Sequence, residues 1–181
     1  MEAIIIRYGV IAIFLGAAIE GEPFAIAGGI LAHRHWLPAW LAALAAIAGA
    51  LSIDQIWFHL SRHFRHNRRI EKVSRRPAFA RSLDLLDRRP IWFLALFRFA
   101  YGVRAVAPVA IGLSRVPARL FVALDIPAAI VWGSAFTALG FALGPAFEAA
   151  EARYGTTIEV GAIAVSVLAL VFALHRGSKR G

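Results

Sequence analysis

The sequence predicts an all-α integral membrane protein, with about four transmembrane helices and two opposed re-entrant hairpins set between them. Three observations carry that prediction. The 181-residue chain is 60% hydrophobic with a mean hydropathy of +0.67, greasier than soluble domains of its length. Four apolar runs, 3–19, 37–60, 120–143 and 157–175, approach the roughly 20 residues that a membrane-spanning helix needs. The net charge of +9 is concentrated in one stretch rather than spread along the chain.

The run 3–19 reads as a retained first helix. Gly16-Ala17-Ala18 has the small residues of a cleavage site, but almost no basic region precedes the run, so a secretory signal fits less well. Residues 20–33 follow, with Glu20-Gly21-Glu22-Pro23 as a polar, helix-breaking start and an apolar continuation. Next comes 37–60, a second full span.

Between Arg62 and Arg89 stand ten basic residues against Glu71, Asp84 and Asp87 alone. By the positive-inside rule this loop is cytoplasmic. The tail His175-Arg-Gly-Ser-Lys-Arg180 points the same way, so both termini are expected in the cytoplasm. Phe79, Leu83 and Leu86 recur at helical spacing within 62–89, which suggests a basic amphipathic segment lying over anionic headgroups; a solvated loop that merely obeys the charge rule is the plainer alternative.

With the spans 120–143 and 157–175 following, residues 91–115 must enter and leave on the cytoplasmic side. They are too apolar for a loop and carry Gly102, Pro108 and Gly112, which makes a re-entrant hairpin the best fit. By the same count, 20–33 dips in from the outer face, broken at Gly21 and Pro23. Broken apolar segments entering from opposite sides are the layout of inverted-repeat transporters.

Ionisable groups inside these apolar segments are the candidate site residues. A charge near a bilayer centre costs at least about 2.5–3.5 kcal/mol on insertion scales and normally faces a partner or a wet cavity. Arg98 and Arg104 are six apart, on different faces of a straight helix, but Gly102 and Pro108 can bend the chain enough to bring both to one site. Guanidinium suits planar, bidentate capture of carboxylate or phosphate. Glu20, Glu22 and Asp54 are the expected counter-ions or proton-exchanging groups, and Asp125, beside Pro127, is a further candidate for the same cavity. The plainer alternatives are a polar turn at the outer interface for Glu20 and Glu22, a structural salt bridge for Asp54, and mere neutralisation of Asp54 and a glutamate for the arginine pair.

Other signals are weaker. His59, His63 and His66 have helical spacing without a nearby carboxylate, a poor metal site. Gly140-Phe-Ala-Leu-Gly144 suits close helix packing, and Trp36, Trp40 and Trp92 sit near span ends as interfacial anchors. Without cysteine there is no disulfide framework or thiolate site. No Ser/His/Asp spacing, phosphate-binding glycine loop or HExxH pattern argues for an enzyme, and no cofactor or nucleic-acid partner is expected.

With Glu20-Gly-Glu22, Gly49-Ala-Leu-Ser-Ile-Asp54, Phe97-Arg-Phe-Ala-Tyr-Gly-Val-Arg104, Pro108 and Ala110-Ile-Gly-Leu-Ser114 in that order, the chain resembles the DedA family over roughly residues 12–147. That family is also called the SNARE-associated or VTT-domain family. The resemblance implies a multi-pass protein of the bacterial inner membrane, two opposed re-entrant hairpins, and movement of lipids across the bilayer. It includes recycling of the polyprenyl-phosphate carrier lipid in some members and phospholipid scrambling in relatives, with links to proton-motive-force homeostasis. The acidic and arginine residues those members depend on correspond here to Glu20 or Glu22, Asp54, Arg98 and Arg104. Two positions depart from the family pattern: Tyr101 where many members have Pro, and Asp125 where Asn is expected.

The expected activity is therefore that of a flippase for a lipid phosphate, its headgroup on Arg98 and Arg104, coupled to protons through Glu20 or Glu22 and Asp54. Membrane lipids and protons are the expected partners, and a homo-oligomer is compatible with the sequence. The rivals are a proton-coupled antiporter for a small cation or drug, and a structural membrane-homeostasis factor without transport.

Overall fold

A computed structural model describes residues 2–64, 88–99 and 103–155, with the single positions 79, 82, 84 and 86 between them. The expected span 157–175, the breaker Gly102 and most of the basic segment 62–89 lie outside the described residues. Within them, every regular element is helical: α1 (Glu2–Ile19), α2 (Glu22–His33), α3 (Ala39–His63), α4 (Pro90–Leu96) with a 3-10 turn at Phe97–Phe99, α5 (Ala107–Leu113) and α6 (Ala118–Tyr154).

Prolines set where these helices begin. Pro lacks a backbone N–H and has a helix-compatible φ, so it is tolerated in a first turn, where no intrahelical acceptor exists anyway. Pro23, Pro90 and Pro108 occupy first turns of α2, α4 and α5, while Pro38 and Pro117 are the extended residues just before α3 and α6. Pro23 and Pro108 thus start helices; the break between α1 and α2 is made by Gly21, whose φ of 85° is accessible mainly to glycine.

Two helices, Ala39–His63 and Ala118–Arg153, are long and apolar enough to cross a membrane. The apolar part of α1, Ile6–Ile19, is shorter than that. α6 runs well past the expected end at residue 143: Pro145 does not terminate it, because the Ala- and Glu-rich sequence beyond has strong helix propensity. At about 1.5 Å per residue it is roughly 55 Å long, more than a hydrocarbon core of about 30 Å can cover. Its charged last turns, with Glu148, Glu151 and Arg153, make up part of the surplus.

Two apolar cores are strung along α3 and α6. One joins Ile13 and Ala17 of α1, Ala25 of α2, Ala42 and Ala46 of α3 and Trp132 of α6. The other joins Phe58 of α3, Phe93 and Leu94 of α4, Ile111 of α5 and Phe121 of α6, with Phe58 and Phe121 stacked at 4.3 Å between ring centroids. Leu86 belongs to this second core, and Phe79 packs on Val109 and Ala110 of α5. These two apolar positions of the basic segment are buried against protein.

Small residues allow α2 and α6 to cross at backbone contact. A side chain on Gly29 would meet the backbone of Thr137 and Phe141, and one on Gly140 would meet that of Ile26. Outside these contacts, Leu44, Ile56, Ile130 and Leu139 are exposed, a surface suited to lipid rather than to water. Trp36, Trp40 and Trp92 are exposed as well.

Candidate functional site: a buried ion-pair network at the helix breaks

Arg98 lies in the 3-10 turn that ends α4, and it is 5% exposed. Here the tighter winding of the 3-10 turn coincides with a guanidinium directed inward, between α3 and α6. On the α6 side, Arg98 Nε and Nη2 both donate to Asp125 Oδ1, at 3.2 and 2.8 Å. On the α3 side, Arg98 Nη2 lies 2.8 Å from Asp54 Oδ2. Asp125 also accepts a 2.7 Å hydrogen bond from Gln55 Nε2 on its other oxygen. Asp125 is fully buried and Asp54 nearly so, so neither carboxylate can rely on water for its charge.

Arg104 lies in the turn that precedes α5 and forms an ion pair with Glu22 at the start of α2. Its guanidinium is 5.4 Å from the centroid of Trp132, within cation–π range. The same guanidinium fills the space beside Gly21 where a Cβ would stand. Glycine therefore does two things at this position: it takes the left-handed φ of the break between α1 and α2, and it makes room for a cation from the turn before α5.

The structure holds Glu22, Asp54, Arg98, Arg104 and Asp125 in two ion-paired groups, Arg98 with Asp54 and Asp125, and Arg104 with Glu22. The two guanidiniums do not share a carboxylate; the turns at 97–99 and 103–106 send them to different acids. Glu20 is half-buried and makes no ion pair among the described residues.

Three features were not foreseen. Gln55 is an amide next to Asp54 in an apolar run, and a polar neighbour of a buried acid in a span is the signal that marks it. Arg62, one turn past Phe58 on α3, donates to the carbonyls of Gly112, Ser114 and Val116 and so closes the C-terminus of α5. Finally, a cleft of about 570 Å³ lies away from the arginines, lined by His33, Arg34, His35, Trp36, Glu148 and Glu151. In it Arg34 is ion-paired to Glu151, and His33 Nε2 lies 3.9 Å from Glu148. Glu148 and Glu151 are one helical turn apart and complement the basic run His33-Arg34-His35, which is the sequence signal for this contact. Among the described residues no three metal-ligating side chains converge.

Chemically, the network holds three carboxylates against two guanidiniums, one formal negative charge in excess. One proton would balance it. An incoming anion needs a guanidinium edge, so a carboxylate must yield before the anion can bind.

A VTT-domain profile matches residues 19–142, a range that contains every ion pair of the network. Inner membrane protein YohD of Escherichia coli (strain K12) is 33% identical over 150 residues, covering 80% of this chain and 75% of its own. Uncharacterized membrane protein ML0287 of Mycobacterium leprae (strain TN) is 28% identical over 135 residues, 70% of this chain and 58% of its own. No solved structure matches the chain.

Proposed function

The chain belongs to the VTT-domain, or DedA, family of membrane proteins, and from that premise we propose that it is a flippase for a lipid phosphate. Polyprenyl phosphate and phospholipid are the headgroup classes considered, and proton coupling is part of the reading. A multi-pass arrangement in the bacterial inner membrane, with both termini cytoplasmic and the two helix breaks as opposed re-entrant hairpins, goes with it.

The observation that supports this reading best is Arg98, a permanent cation 5% exposed between two acids. A phosphate presents several anionic oxygens and can take the place on the guanidinium that one of the two carboxylates now holds. Exchange of one anionic partner for another keeps the arginine neutralised throughout, which a low-dielectric setting demands. The proton that balances the excess carboxylate would enter when the acid is released and leave when it re-forms its ion pair.

The test is flux of a polyprenyl phosphate across proteoliposomes that contain the purified protein. Arg98→Ala and Arg104→Ala are expected to abolish it, whereas wild-type flux in both variants rejects the proposal. A second reading, exchange of a small cation or drug for protons, draws on the excess of carboxylates. It is favoured if transport persists without any lipid phosphate and the cation dissipates an imposed pH gradient.

A further inference from the structure

The two acids on Arg98 are held unequally. Asp125 receives two hydrogen bonds from Arg98 on one oxygen and one from Gln55 on the other. Its side chain is 0% exposed, so it has neither a spare oxygen nor a route to water. Asp54 meets Arg98 through Nη2 alone, and its side chain is 11% exposed. Guanidinium offers two edges to planar anions. Asp125 takes the Nε/Nη2 edge, which leaves Asp54 as the occupant of the terminal side.

We propose that Asp125 and Gln55 form a fixed cradle that positions Arg98, and that Asp54 is the carboxylate an arriving phosphate displaces. The inference rests on the lipid-phosphate reading for its substrate and on the hydrogen-bond geometry for its division of roles. A buried guanidinium stripped of both acids would be an uncompensated charge, and one that kept both would have no edge to offer. One fixed partner and one exchangeable partner satisfies both conditions. Gln55 is well placed to enforce the difference: it adjoins Asp54 on α3 yet reaches across to α6 to hold Asp125. It is thus a positioning residue that acts on the phosphate only through Asp125 and Arg98.

The experiment compares Asp54→Asn, Asp125→Asn and Gln55→Leu in the full-length purified protein. It measures binding of farnesyl phosphate, polyprenyl-phosphate flux and apparent Tm. Asp54→Asn removes the competitor, so it is expected to bind farnesyl phosphate about tenfold tighter than wild type while flux is lost. Asp125→Asn and Gln55→Leu unseat Arg98 and are expected to bind about tenfold more weakly. They should also lower Tm by about 5 °C or more, against about 2 °C or less for Asp54→Asn.

Equal effects of the two Asp variants on binding, or Asp54→Asn as the more destabilised protein, would overturn the proposal. If wild type binds no farnesyl phosphate, the lipid-phosphate reading fails, and the order of Tm values still decides between cradle and exchangeable acid. Where Asp125→Asn does not fold, Gln55→Leu supplies the same comparison, since it leaves every charge in place.

Discussion

The Arg104 guanidinium occupies the volume in which a Cβ of residue 21 would stand, so Gly21 and Arg104 are a fitted pair that joins the two helix breaks. Gly21→Ala collides with that guanidinium and also requires a left-handed backbone at about 1–2 kcal/mol. It is expected to detach Arg104 from Glu22, with flux down at least about tenfold and a lower Tm. Flux in proteoliposomes and thermal unfolding of the same preparation check both effects.

Glu22 and Glu20 should behave differently although they are two residues apart. Only Glu22 meets an arginine among the described residues. Glu22→Gln is expected to reduce flux at least about tenfold, because loss of a charged partner from a half-buried ion pair costs on the order of 1–3 kcal/mol. Glu20→Gln should remain within about twofold of wild type, because Glu20 has no ion pair to lose among the described residues. Parallel flux assays decide it, and equal losses would show that Glu20 also takes part.

Arg62 offers a test that separates charge from shape. It caps three carbonyls at the end of α5 and sits 4.6 Å from the ring centroid of Phe58. Arg62→Lys keeps the positive charge that the topology rule counts, but an ammonium lacks the planar fork. A stability loss of about 1–2 kcal/mol is expected from the missing hydrogen bonds. Thermal unfolding measures it, and a Lys variant as stable as wild type would mean that Arg62 contributes only charge.

The α2–α6 crossing should tolerate almost no added volume. Gly29→Val and Gly140→Val each drive a side chain into the opposing backbone, and overpacking of this kind costs typically about 1–3 kcal/mol. Both variants should unfold at lower temperature than wild type, while an alanine-to-valine change at exposed Ala152 should not. Similar Tm values for all three would show that the helices are not packed at backbone contact.

Much of the layout is legible in the sequence because its causes are local. Prolines and Gly21 mark where helices can start and stop, and apolar length marks α3 and α6 as spans. Arg98, Arg104, Asp54 and Glu22 stand out because each is expensive in an apolar segment. What is not legible is which charge meets which. Arg98 finds Asp125 27 residues away, Arg104 finds Glu22 82 away, and Arg34 finds Glu151 117 away. Such pairings depend on how whole helices pack, to which no local pattern is sensitive. The same holds for Gln55, whose amide looks like a tolerated polar residue until Asp125 arrives from another helix.

α2 is fastened at both ends to different parts of the molecule: Glu22 to Arg104, and Arg34, just beyond His33, to Glu151 of α6. Its 12 residues make a rod of about 18 Å. With both ends pinned and the backbone of α6 in contact at Gly29 and Gly140, α2 has no freedom to slide along α6 while the two ion pairs hold.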